Sequence, residues 1–101
     1  MSTILASEQI LEKVRALLSE VLSLPVQQVK AESRIVEDLG AESIDLLDLR
    51  FRIEKAFGFR ITNENLVAAF GAEMTPEEFR RRFTVEALCG YIRSRLEEPV
   101  A

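Results

Sequence analysis

The stretch that decides the fold is Val36-Glu37-Asp38-Leu39-Gly40-Ala41-Glu42-Ser43, running straight into Ile44-Asp45-Leu46-Leu47-Asp48-Leu49. Its first half has no helical repeat and contains Gly40, the residue type that turns a chain at least steric cost. Its second half begins an apolar repeat of three and four. A helix over residues 43–57, stopped by Gly58, puts Leu46, Leu49, Ile53 and Phe57 in one stripe at about 100° per residue. Ile44, Leu47 and Phe51 make a second stripe about 140° from the first. A surface helix needs only one apolar stripe. The second therefore either packs against more of this chain, in a helix covered on two sides, or faces something outside it. Ser43 falls at the first turn, where a side chain is exposed and reachable, in the acidic company of Asp38, Glu42, Asp45 and Asp48.

Outward from this stretch the periodicity stays helical, with no convincing strand alternation. Ile10, Val14, Leu17, Leu18 and Val21 define the buried face of a first helix over residues 7–23. Ser7 is its expected N-cap, Glu8 suits its first turn, and Pro25 closes it. A long connection over residues 26–42 follows, with Val29, Ile35 and Leu39 as its expected anchors to the core. Residues 59–83 read as two short helices. One covers residues 63–70 and is closed by Gly71. The other opens on Thr75-Pro76-Glu77-Glu78, where Thr75 caps, Pro76 takes the first helical position and Glu78 completes a capping box. Arg80, Arg81 and Arg82 form a basic cluster near its end. The last helix starts at Thr84 and buries Val85, Leu88, Ile92 and Leu96. The expected architecture is all-α: a small four-helix bundle with an extended segment between the second and last helices. It is a single domain over residues 1–101, with an ordered core of about residues 4–97.

Composition removes most other functions. The chain of 101 residues is 48% hydrophobic and 30% charged, too apolar for a disordered segment. No apolar run is long enough to span a bilayer, and the N-terminus lacks the pattern of a secretory signal. A single cysteine, Cys89, cannot form an internal disulfide and fits a reducing, cytoplasmic setting; on the last helix it reads as a buried, inert thiol. A net charge of −4 disfavours nucleic acid as a partner. With no histidine there is no imidazole base and no preferred transition-metal ligand, so self-contained catalysis is not expected and no metal site is assigned.

The run Glu37-Asp38-Leu39-Gly40 followed by Ser43 resembles the attachment motif of acyl carrier proteins, roughly acidic-Asp-Leu-Gly-x-Asp-Ser-Leu. The likeness extends to the first helix, to the end of the second at Phe57-Gly58, and to Thr84-Val85-Glu86-Ala87-Leu88 opening the last. Two features depart from the pattern. Glu42 stands where the family usually has aspartate, and residues 59–83 are longer than the equivalent in housekeeping carriers. The second, together with Leu46-Leu47-Asp48 and Lys55-Ala56-Phe57-Gly58, makes the chain resemble specialised bacterial acyl carriers more than housekeeping ones. The resemblance implies a non-enzymatic carrier with 4′-phosphopantetheine on Ser43, taken from coenzyme A by a phosphopantetheinyl transferase. Acyl intermediates would ride as thioesters to fatty-acid or lipid biosynthetic synthases and acyltransferases. It implies a monomer, with Asp38, Glu42, Asp45 and Asp48, together with Ile44, Leu47 and Phe51, meeting partner enzymes. Leu47 and Phe51, facing Leu66, Val67 and Phe70, are the expected acyl-chain groove. A peptidyl, aminoacyl or polyketide carrier is the alternative within this fold. A helical interaction module without the cofactor is the alternative outside that function.

Overall fold

The computed structural model describes residues 7–62 and 75–97. Four α-helices are found among them: α1 (Ser7–Leu22), α2 (Ser43–Phe57), α3 (Pro76–Arg82) and α4 (Val85–Glu97), with a short 3-10 turn at Val26–Gln28. No strand occurs among the described residues. The one strand-like element is a single antiparallel bridge between Arg34 and Thr84. The expected all-α architecture is thus observed. The expected helix over residues 63–70, including Leu66, Val67 and Phe70, lies outside the described residues.

Helix α1 is the centre of the packing and lies against both α4 and α2. Ile10, Val14 and Leu18, each four residues from the next, are fully buried on one α1 face. Leu49 and Ile53 from α2 and Val85, Leu88 and Ile92 from α4 complete the same core. Each large aliphatic side chain removed from water contributes about 1.5–3 kcal/mol, so this one cluster carries most of the fold's stability. Leu17, Leu46, Phe57 and Leu96 are half-buried at its margin.

The end of α1 differs from the sequence reading by one residue, while its start agrees. The first helix starts with Ser7 already in helical geometry, and the Ser7 hydroxyl accepts from the Arg93 guanidinium of α4. Ser7 therefore ties α1 to α4. At its far end α1 stops at Leu22 because Ser23 adopts the left-handed conformation, φ 56°. The Leu24 amide then reaches back to the Ser19 carbonyl at 3.1 Å, ahead of Pro25. The other signals act where the sequence placed them. Gly58 ends α2 at φ 79°, and Thr75 with Glu78 forms the capping box of α3. The Thr84 hydroxyl caps α4 by accepting from the Ala87 amide at 3.0 Å.

The connection from α1 to α2 is long, yet it is held at every stage. The Arg15 guanidinium donates to the Val29 carbonyl at 2.6 Å and to the Val26 carbonyl at 2.9 Å. Val29 and Ile35 are fully buried, as expected, and Leu39 is half-buried. Farther along, the loop pairs with the start of α4. The Val85 amide donates to the Ser33 carbonyl at 2.9 Å, the Glu86 amide to Ala31 at 2.8 Å, and the Ile35 amide to Phe83 at 2.9 Å. These bonds bring the starts of α2 and α4 to the same end of the bundle.

Candidate functional site

Ser43 is the first residue of α2 and is exposed. Three local devices put it there. Gly40 takes φ 74°, a conformation that costs an L side chain about 1–2 kcal/mol and glycine nothing. The Ala41 side chain is buried, and its amide donates to the Ile35 carbonyl at 3.2 Å, fixing the loop against the core two residues before the serine. The Asp45 carboxylate then accepts from the Glu42 amide at 2.9 Å, closing the first turn. Asp45 at the third helical position is the returning arm of a capping box whose N-cap is Glu42.

The acidic residues expected to surround Ser43 are all present, but they differ in how far their charge is committed. Asp38 receives the Arg34 backbone amide at 2.7 Å, and the Arg34 guanidinium at 3.1 and 3.0 Å. The guanidinium bonds foremost, then the amide, hold the Asp38 carboxyl below the usual carboxylate range. Asp48 pairs with Arg52 at 3.1 Å, and Arg52 also approaches Glu20 of α1 at 3.6 Å. Asp45 is occupied as a cap. Glu42 is exposed at the helix start. Sequence reading named these carboxylates without their arginines. The i, i+4 spacing of Asp48 and Arg52 was visible as a signal for that pair. The Arg34–Asp38 pairing depends on the loop's folding back on itself, which periodicity does not report.

The two stripes of α2 separate cleanly. Leu49 and Ile53 are buried, while Ile44 is 71% exposed, Leu47 51% and Phe51 59%. Among the described residues, nothing covers the second stripe. These three side chains begin one residue after Ser43 and continue for two turns, an apolar strip about 10 Å long at 1.5 Å rise per residue. The chain leaving α2 returns along the helix, because the Ile61 amide donates to the Glu54 carboxylate at 2.7 Å. Leu66, Val67 and Phe70, the expected opposite wall of an acyl groove, lie outside the described residues.

The chemistry available at Ser43 is that of an exposed hydroxyl beside the free amides of a helix start, which tolerate a bound anion. That is what a phosphodiester-linked prosthetic group requires of its attachment point. Among the described residues no cluster of His, Cys, Asp or Glu is arranged to hold a metal. Cys89 is no substitute nucleophile: burial, with a smaller push from Glu86, raises its thiol to about 11. It lies on an open cleft of about 450 Å³ between α1 and α4, with Ile10, Leu11 and Ala31.

An exposed serine on a four-helix scaffold, introduced by a left-handed glycine and an acidic turn, defines a prosthetic-group carrier. The family model for the phosphopantetheine attachment site matches residues 12–69, and the chain belongs to the acyl carrier protein family. An acyl carrier protein of Thermotoga maritima is 39% identical over 59 residues, covering 58% of this chain and 73% of that protein. The family's cofactor is 4′-phosphopantetheine, and its members carry rather than catalyse. No helix among the described residues is long and apolar enough to cross a membrane.

Proposed function

We propose that Ser43 is the residue that carries the 4′-phosphopantetheine arm and that the protein delivers acyl thioesters to fatty-acid or lipid biosynthetic enzymes in the cytoplasm. The observation that carries this reading is the placement of Ser43: exposed, at the first turn of α2, with a glycine turn, a buried Ala41 and the Asp45 cap fixing its backbone. When bound, the arm supplies a terminal thiol that holds acyl groups as thioesters. The chain's part is to present the hydroxyl, to tolerate the phosphate at the helix start, and to offer a surface to the transferase and the acyl-handling enzymes. Ile44, Leu47 and Phe51 are the main elements of that surface, with Glu42, Asp45, Asp38 and Asp48 at its edge. Leu47 and Phe51 are also placed to shelter an acyl chain, at up to about 0.8 kcal/mol per buried methylene.

Intact mass after co-expression with a promiscuous phosphopantetheinyl transferase tests the reading. A single phosphopantetheine adduct is expected on the wild type and none on Ser43→Ala. An unmodified wild type with several transferases, or an adduct surviving in Ser43→Ala, overturns it.

A further inference from the structure

The end of α3 carries Arg80, Arg81 and Arg82, all exposed, in a chain whose net charge is −4. Cations in the last turn of a helix suit its dipole, but that effect is a few tenths of a kcal/mol at a surface and does not require three. Phe79 and Phe83 stack at 4.8 Å between ring centroids, and Phe83 is buried, so this side of α3 is fixed inward. The three arginines fan around the remaining arc. None of the four ion pairs among the described residues involves them. The nearby Glu78 bonds the Thr75 amide and hydroxyl at the start of the helix and feels Arg81 and Arg82 only through space, without an ion pair.

Backbone bonds link the end of α3 to the loop that leads into the serine. Arg82 directly precedes Phe83, whose carbonyl holds the Ile35 amide, and the Ile35 carbonyl holds the Ala41 amide, two residues before Ser43. Each such paired step spans about 5 Å between Cα atoms, so the end of α3 lies within about 20 Å of Ser43. That is inside the footprint of one ordinary protein interface, about 800 Å² per partner. Over the same footprint much of the acidic charge is already satisfied within the chain: Asp38 by Arg34, Asp48 by Arg52, and Asp45 by the helix start. Glu37 and Glu42 remain exposed near the serine, and Glu77 and Glu86 lie nearer the arginines, so the three cations make a local basic edge on an otherwise acidic surface.

We infer that Arg80, Arg81 and Arg82 form a selecting edge of the Ser43 face, fitted to an enzyme that presents carboxylates beside an apolar pocket. The inference rests on the carrier reading for its setting. The apolar strip Ile44, Leu47 and Phe51 supplies contact area that many partners can use. The arginines add sign: an acidic rim is attracted, and a basic rim, suited to a carrier with a uniformly acidic face, is repelled.

The test uses two synthetic amphipathic helical peptides with one shared Leu/Phe face, one with a glutamate rim and one with a lysine rim. Binding to the full apo chain is measured at low and high salt, with amide shifts to map the contact. The glutamate peptide is expected to bind about tenfold more tightly at low salt, with the advantage collapsing at high salt. Shifts should fall on the end of α3 and the exposed strip of α2. R80Q/R81Q/R82Q should abolish the preference while Phe51→Ala weakens both peptides alike. If the triple variant loses helicity, the single R81Q change should lower the ratio in part with the fold intact. Equal affinities, a lysine preference or shifts confined to the α1–α4 cleft overturn the inference. So does arginine-dependent binding to phosphatidylglycerol vesicles without peptide selectivity, which would assign the cluster to a lipid surface. The carrier reading fails separately, in the mass of the co-expressed protein, and leaves the peptide ratio readable.

Discussion

The two faces of α2 use the same kind of side chain for opposite ends. Leu49 and Ile53 are 3% and 2% exposed against α1 and α4, while Leu47 and Phe51, two residues before each, are more than half exposed. Residues two apart lie about 200° apart on a helix, so a shift of two positions moves an apolar group from core to surface. The inner face contributes to stability through transfer from water. The outer face adds little to it: Ile44, Leu47 and Phe51 are exposed beside Ser43, where the proposed partner surface would use their apolar area. Apolar content alone did not distinguish them; position on the helix did.

Four measurements break or sharpen that contrast, beginning with the largest effect. Ser43→Ala should eliminate phosphopantetheine incorporation outright while leaving far-UV helicity intact, apart from a small loss at the helix start, because the serine buries nothing. Next, Ile53→Ala should destabilise by about 2–5 kcal/mol in chemical denaturation, whereas Phe51→Ala should stay within about 0.5 kcal/mol of wild type. Similar losses for the two would mean that the exposed strip is covered by the chain after all. Third, Cys89 at about 11, raised from 9.0, should be alkylated near pH 8 about a hundredfold more slowly in the folded chain than in denaturant, reading the packed α1–α4 side by its thiolate fraction. An unprotected thiol would show that this side opens readily.

The smallest effect concerns Asp38. Its carboxyl is held below 3.8 by Arg34, so its favourable contribution is present above the unfolded value and is lost as pH falls through the folded one. An NMR titration should place Asp38 below 3.8 in the wild type and return it toward the ordinary value in Arg34→Ala. The side chains involved are exposed, and global stability should hardly move. A midpoint indifferent to Arg34 would mean that the carboxylate is available to partners, like Glu42.

Much of this was written locally in the chain. The bounds of α2 followed from the repeat starting at Ser43 and from Gly58, because a helix start and a left-handed stop are events of a few residues. The α3 capping box was legible for the same reason. What periodicity did not reveal depends on contacts between distant residues: the bridge from Arg34 to Thr84, the Arg15 guanidinium spanning to Val29, and Ser7 as a tie to Arg93. The second stripe of α2 was visible, but whether it met chain or solvent was not, since a pattern gives a face and not its neighbour. The serine was found by motif. The commitment of Asp38 and Asp48 to arginines, which changes the charge a partner meets, required the fold.

The two backbone clasps around the segment after α2 have a consequence for how such a protein can change over time. On one side the Ile61 amide is hooked to Glu54, and on the other the Phe83 carbonyl is hooked to Ile35. Both hooks lie in parts of the chain that also hold the serine's loop and helix. Substitutions at either hook would therefore act on the mount of Ser43 itself, which confines what can change there.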